Sequence, residues 1–175
     1  MSKSKKIVRI ITASALLAAL SAVIGIFCKN LFTFNVYYRF TLENAPVILA
    51  GMVFGPGVGA AVGVCADAIS CLLSSNPALN PIISLGAATV GVLSGIVPYI
   101  IRKKGALQTA VAVASAHIVG QVAIKSIGKI LYFSMPWEGI FIGLGFSVVA
   151  VIIETRFILW IRSVKGLDGY LGGGR

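Results

Sequence analysis

RFTLENAPVILAGMVFGPGVGAAVGVCAD, residues 39–67, is the stretch around which the rest of the chain is arranged. Four glycines and one aspartate recur in it at intervals of four residues: Gly51, Gly55, Gly59, Gly63 and Asp67. Residues four apart lie on one face of an α-helix. A row of glycines on that face lets a neighbouring helix approach closely, which is how helices associate in lipid. The spacing therefore predicts helix packing along the glycine row.

The tripeptide Gly55-Pro56-Gly57 interrupts this row. Proline and glycine together end helices, so we expect the chain to turn there. The stretch therefore predicts two antiparallel membrane helices joined by a tight turn, with Asp67 on the second. A charge inside an apolar segment is costly and by default marks a functional site.

The composition extends this interpretation to the whole chain. Its 175 residues are 58% hydrophobic and only 11% charged, whereas soluble domains carry about 25% charged residues. The net charge of +10 is concentrated at the chain ends and in one loop, a distribution that indicates membrane topology. Because no aromatic and basic surface accompanies the charge, we expect no nucleic-acid partner. No metal-ligand pattern is present either, and we expect no metal and no cofactor.

The long apolar segments predict an all-α integral membrane protein. We expect residues 1–175 to form a single domain in the cell membrane. The predicted transmembrane helices cover residues 7–28, 42–54, 57–74, 82–101, 106–133 and 139–161. Six spans place both termini on one side, together with the basic loop 102–104. The opposite side holds only Lys29 and Arg39, so the positive-inside rule places the termini in the cytoplasm. The loops at 29–41, 75–81 and 133–137 then face outward.

Two charged residues are predicted to lie at similar depth in the outer half of the bundle, Asp67 on helix 3 and Lys125 on helix 5. One interpretation is a structural Asp67–Lys125 pair. The other is a polar pocket for an anionic solute, favoured because three cations (Arg39, Lys125 and Lys129) face one buried acid. Further candidate binding residues lie in or near the outward loops: Asn76, Asn80, Phe34, Tyr37 and Trp137.

A small-residue patch on helix 1 consists of Ala15, Ala18, Ala19 and Ala22. Such spacing is common where membrane helices meet. The patch predicts either packing within this chain or docking to a separate membrane subunit.

Enzymatic chemistry has little support in the sequence. Ser94 and His117 are the residues that an intramembrane enzyme would use, but the glycine in Gly91-Val92-Leu93-Ser94-Gly95 lies one place too early for a serine protease. No Walker A or GxSxG pattern is present. We expect His117 to be a hydrogen-bonded structural histidine, and Glu154 and Arg156 to pair locally or reach the membrane surface.

Two segments carry a family resemblance. The residues are Arg39, Pro46, Val47-Ile48-Leu49-Ala50-Gly51, Phe54-Gly55-Pro56, Gly59, Gly63 and Asp67, together with Ala15-Leu16-Leu17-Ala18-Ala19-Leu20. With them, over about residues 12–70, the chain resembles the folate-family substrate-binding (S) components of energy-coupling factor (ECF) transporters.

The resemblance implies a six-helix bundle that captures a vitamin outside the cell, with folate as the expected ligand. It implies docking to a transmembrane coupling subunit that carries two ATPases, and favours docking over packing for the alanine patch. Asp67 with Asn76 or Asn80 would suit the pterin edge, the loop aromatics its rings, and Lys125, Lys129 or Arg39 the dicarboxylate tail. Another small vitamin or precursor is the alternative ligand.

Overall fold

The computed structural model describes residues 3–31, 41–73 and 79–163. Every regular element in these ranges is helical, and none is a strand. The helices are α1 (Lys3–Leu31), α2 (Asn44–Phe54), α3 (Pro56–Leu72), α4 (Pro81–Ile100), α5 (Ala106–Phe133) and α6 (Gly139–Ser163). The predicted all-α class is confirmed for the described residues.

The helices differ in whether they can cross a membrane alone. Four are long and apolar enough to do so: Lys3–Cys28 within α1, and all of α4, α5 and α6. Helix α2 has 11 residues, about 16 Å of rise against a hydrocarbon core of about 30 Å. Helix α3 has 17, at the lower limit for a span. The count of six spans and the cytoplasmic termini therefore remain predictions.

The predicted turn lies between α2 and α3. Helix α2 ends at Phe54, and Gly55 follows with φ 98°, a backbone conformation that glycine adopts without steric cost. Pro56 is the first residue of α3, where its missing N–H removes no helical hydrogen bond. The interruption in the glycine row is thus a turn of a single residue.

The glycine row packs mainly against α4, which carries its own row of small residues at Ala87, Gly91 and Gly95. A Cβ atom added to Gly59 would lie 2.5 Å from the carbonyl oxygen of Gly91 and 2.7 Å from Cα of Gly51. A Cβ on Gly63 would collide with the Ala87 carbonyl group. Helices α3 and α4 are therefore antiparallel and in backbone contact along this closed seam.

Helix α2 lies at the centre of the bundle, with every residue from Asn44 to Met52 buried. The chain enters it through non-helical residues whose polar groups are paired: the Ser21 hydroxyl donates to the Glu43 carbonyl at 2.6 Å, and the Glu43 N–H donates to Thr41 Oγ1 at 3.2 Å. Non-helical backbone is tolerated at membrane depth only where protein surrounds it or it lines a cavity. This entry places the Glu43 side chain inside the bundle.

Candidate functional site

A cleft separates α5 from α6. It is open at its mouth and has a cavity volume of about 40 Å³. It is lined by Thr41, His117, Gln121, Val122, Ser126, Lys129, Met135, Gly139, Gly143, Phe146, Ser147 and Ala150. The α5–α6 cleft is therefore mixed in polarity, and Lys129 brings a cation to it.

The inner wall of the α5–α6 cleft belongs to a π-helical segment of α5, Ala116–Ile124. Such segments are rare and occur frequently at functional sites. This one carries His117 and Gln121, both of which line the cleft. Its other face packs closely on α4, since a Cβ on Gly120 would lie 2.9 Å from the carbonyl oxygen of Gly86. The sequence predicted a helix over 106–133 without this change of winding.

A buried pair closes the inner end of the cleft. His117 Nε2 lies 2.8 Å from Glu154 Oε2 on α6, and each residue is about 1% exposed. The predicted hydrogen bond of His117 is thereby confirmed. The prediction that Glu154 pairs locally or reaches the membrane surface is wrong, because its position on α6 turns it inward to the histidine.

A second, smaller cavity of about 10 Å³ lies among α1 to α5. It is lined by Ser21, Glu43, Asn44, Val47, Gly63, Ala66, Asp67, Ser70, Ala87 and Lys125. The structure thus brings Asp67 and Lys125 to one cavity. It places Lys129 in the α5–α6 cleft instead, so the predicted cations are divided between two sites.

The charges of this polar cavity differ from the predicted set. Lys125 Nζ donates to Glu43 Oε1 at 3.4 Å, whereas Asp67 Oδ2 accepts a hydrogen bond of 2.6 Å from the Ser84 hydroxyl. Among the described residues that line this cavity, two acids therefore face one lysine, and Glu43 was not counted in the predicted charge balance. The predicted cation excess stays a prediction, because Arg39 lies outside the described part of the chain. One Asp67 oxygen is already occupied by Ser84.

A side-chain contact joins the two cavities. Asn44 lines the polar cavity, and its Nδ2 donates to Gln121 Oε1 at 3.4 Å. Gln121 in turn lines the α5–α6 cleft. A change in the position of either amide would therefore reach both cavities.

The remaining predicted binding residues have separate positions. Asn80 is the N-cap of α4, where its Oδ1 accepts from the backbone N–H groups of Ile82 and Ile83 at 2.9 and 3.4 Å. Trp137 is 65% exposed and makes an edge contact with Phe141, with ring centroids 6.2 Å apart. Four predicted residues lie outside the described part of the chain: Phe34, Tyr37, Arg39 and Asn76.

The alanine patch of α1 divides into two faces. Ala18 and Ala22 are buried, whereas Ala15 and Ala19 are exposed. Large apolar neighbours on α1, Leu16 and others, are exposed as well. Packing within the chain therefore accounts for one half of the patch, and the other half remains open to lipid or to a partner.

The enzymatic alternative gains nothing from the structure. Ser94 is fully buried, and its hydroxyl donates to the Gly91 carbonyl at 3.0 Å. His117 is committed to Glu154 instead. Neither residue is placed as a nucleophile with its base.

Sequence reasoning missed three residues at these sites: Glu43, Gln121 and Glu154. Glu43 stands directly before the buried helix α2, and Glu154 lies within an apolar segment. An ionisable residue within an apolar segment is a functional-site hypothesis by default, and that signal could have found both. Gln121 carries no comparable signal.

Comparisons with known proteins bear on the whole chain. A family profile described as "ECF transporter, substrate-specific component" matches residues 9–164. A solved structure described as the S-component for biotin from an ECF-type ABC transporter is similar, with a TM-score of 0.70 and 15% identity. The alignment covers 98% of this chain and 99% of that one. A search of curated protein sequences gives no match.

Proposed function

The chain belongs to the family of ECF transporter substrate-specific components, and we propose that it captures folate outside the cell for import. Members of this family are vitamin-binding subunits of transporters and not enzymes, and they work with a coupling subunit and ATPases. We also propose which cavity holds the vitamin, how the chain crosses the membrane and which face of α1 docks to the coupling subunit.

The vitamin binds in the α5–α6 cleft. The observation that carries this proposal is the contrast between the charges of the two cavities. Among the described residues that line the two spaces, the cleft has Lys129 and no acid, whereas the polar cavity has Lys125 together with Glu43 and Asp67. A dicarboxylate tail is attracted by a cation and repelled by a surplus of acids. The cleft is also the larger of the two spaces.

Folate is the proposed ligand because residues 39–67 resemble the folate members of the family. Biotin is the second candidate, since the solved relative is described as a biotin component and biotin also ends in a carboxylate. Asp67 remains the proposed reader of an amino-substituted ring, should the ring enter the polar cavity. Asn80 and Trp137 stay secondary, because one caps α4 and the other lies at the exposed loop.

The topology that fits this function has six transmembrane spans, with both termini in the cytoplasm. The protein then lies in the plasma membrane. The mouth of the α5–α6 cleft, near Lys129 and Met135, then faces outward. On α1, Ala15 and Ala19 form the docking face for the coupling subunit, since small exposed residues let another helix come close.

A pair of matched lysine variants tests the ligand site. Purified protein is titrated with folic acid and with biotin, comparing Lys129→Gln with Lys125→Gln. A hydrogen bond to a charged group is worth about 1.5–3 kcal/mol, so Lys129→Gln should weaken folic acid binding about tenfold or more. Lys125→Gln should leave affinity within about threefold, because Glu43 already engages that lysine.

Three results would contradict parts of this proposal. The reverse ranking of the two variants would move the ligand to the polar cavity. Tight binding of biotin without folic acid would change the vitamin and keep the cleft. Binding of neither compound would reject both named ligands.

A further inference from the structure

The inner end of the α5–α6 cleft holds two buried polar atoms that lack a partner. His117 Nε2 is engaged by Glu154 Oε2 at 2.8 Å, but His117 Nδ1 and Glu154 Oε1 have no hydrogen bond. Both side chains are at least 98% buried. In native proteins about 90% or more of buried polar groups are paired, so these two atoms require an explanation.

Leaving such atoms unpaired is costly. A buried donor or acceptor without a partner costs about 1–3 kcal/mol, and ionisable groups within a membrane are expensive and mark pathways or sites. His117 is one of the residues that line the cleft, so it borders the space that a molecule in the cleft would occupy. Two such atoms beside a cleft are therefore suited to hold a polar group of a ligand.

We propose, on the premise that the vitamin binds in the α5–α6 cleft, that the His117–Glu154 pair is a subsite for the inner end of the ligand. The class of group it takes is an uncharged nitrogen heterocycle that donates an N–H. Neither residue was assigned to ligand binding from the sequence.

The hydrogen-bonding pattern sets this class. In the neutral tautomer whose Nε2–H donates to Glu154, Nδ1 is an acceptor. Gln121 is beside it on the π segment, and its amide nitrogen can donate to a ring carbonyl or ring nitrogen. Phe146 lines the same cleft and offers an aromatic face for a flat ring. An uncharged ring is required because it must leave water for a buried site.

The other end of the cleft limits the rest of the ligand. Lys129 follows His117 by twelve positions on α5, about 18 Å along a helix. A ligand that reaches both residues is elongated, with an N–H heterocycle at the inner end and an anion at the outer end. Pterin–benzoyl–glutamate compounds have this arrangement, and a ureido ring with a carboxylate chain is its shorter variant.

The chain contains a single histidine, which makes the test specific. Full-length protein is prepared with ¹⁵N-labelled histidine, and the ring nitrogen resonances are followed by NMR as compounds are added. The compounds are folic acid, biotin, pterin, and p-aminobenzoyl-glutamate, which lacks the heterocycle. We expect folic acid and pterin to shift the Nδ1 resonance. We expect p-aminobenzoyl-glutamate to bind weakly at Lys129 and leave Nδ1 unchanged.

The outcomes separate this inference from the proposed vitamin. Folic acid that binds with Nδ1 unmoved overturns the subsite and leaves the proposed function standing. Biotin that shifts Nδ1 when folic acid does not bind overturns folate and supports the subsite. An unchanged Nδ1 resonance with all four compounds overturns the subsite.

A variant pair provides a second readout. The double change His117→Leu, Glu154→Leu removes both partners together, which avoids stranding a buried charge and is often neutral for stability. Its affinity for folic acid should fall at least tenfold, towards that of p-aminobenzoyl-glutamate, whose own affinity should not change. Equal losses for both compounds would indicate a merely structural pair and would overturn the subsite.

Thr155→Val is the matched control. Its hydroxyl is also buried without a partner, on the same helix as Glu154, but Thr155, unlike His117, does not line the cleft. Affinity for folic acid should be unchanged. A tenfold loss here would show that removing any unpaired polar atom from α6 has this effect, and would overturn the assignment.

Discussion

The seam between α3 and α4 and the seam between α5 and α6 use glycine in opposite ways. In the closed seam, a Cβ on Gly91 would collide with the backbone of Gly59. Along the α5–α6 cleft, a Cβ on Gly143 would meet nothing within 4 Å. Glycine alone therefore does not bring helices together. A facing row of small residues is also required, and α4 supplies one whereas α5 does not.

The two seams therefore differ in what holds their helices together. Helices in lipid associate through van der Waals packing, with little hydrophobic driving force between them, so close backbone contact stabilises the α3–α4 half strongly. At the open seam, α6 packs Ile158 into the core and also makes polar contacts. At its inner end these include His117–Glu154 and a hydrogen bond of 3.1 Å from Arg162 Nη1 to Thr109 Oγ1. A cleft remains between these helices.

The largest effect should come from filling the closed seam. Gly91→Val would force the new side chain against the backbone of Gly59. Overpacking costs about 1–3 kcal/mol even where neighbouring side chains can move. We expect loss of folded protein, measured as the fraction that elutes as a single peak and by its thermal unfolding. The matched control on the open seam is Gly143→Val, which should change the free energy of unfolding by less than about 0.5 kcal/mol, because a Cβ there meets nothing within 4 Å. Similar behaviour of both variants would abolish the distinction between the seams.

The next largest effect should be on uptake, and it compares the two faces of α1. Ala18 and Ala22 on one face are buried, whereas Ala15 and Ala19 on the other are exposed. Ala15→Trp and Ala19→Trp should leave the protein folded and able to bind ligand, because both sites are exposed. Uptake should be lost in cells that contain the coupling subunit and ATPases, since a bulky residue holds a partner helix away.

Ala18→Trp is the counterpart on the buried face, where Ala18 is 6% exposed, and it should unfold the protein instead. Co-purification with the coupling subunit, beside a binding titration on the same sample, measures the difference. Full complex formation by the Ala15→Trp, Ala19→Trp double variant would reject the docking face.

The closed half of the fold was more predictable than the site. The turn at Gly55 and the glycine row follow from local rules, since proline ends helices and glycine permits close approach. The π-helical winding of Ala116–Ile124 has no comparable local signal, because it is set by packing against α4. The pairing of Lys125 with Glu43 joins positions 82 apart in sequence, and charge counting along helices could not find it.

A smaller loss of stability should come from breaking the Glu43–Lys125 pair, which joins α5 to the start of α2. Glu43→Gln leaves the buried Lys125 without its acid, and removing one partner of a buried pair typically costs about 3–5 kcal/mol. We expect about 1–3 kcal/mol here, because the 3.4 Å contact is long for a charge-assisted hydrogen bond. Thermal unfolding measures the loss. The double change Glu43→Leu, Lys125→Met should restore stability, and a double variant no better than Glu43→Gln would contradict a pairwise role.

The smallest effect tests whether Asn80 belongs to the closed half or to the ligand. Its Oδ1 accepts from two backbone N–H groups at the start of α4, and removing such an N-cap costs about 0.5–2 kcal/mol. Asn80→Ala should therefore lower the free energy of unfolding by about 1 kcal/mol and leave ligand affinity unchanged. Asn80→Asp keeps the capping oxygen and should recover most of that stability, because a carboxylate caps as well as an amide. A tenfold loss of affinity in Asn80→Ala, with stability preserved, would instead assign Asn80 to the ligand. Helix α4, which Asn80 caps, would then also form part of the binding site.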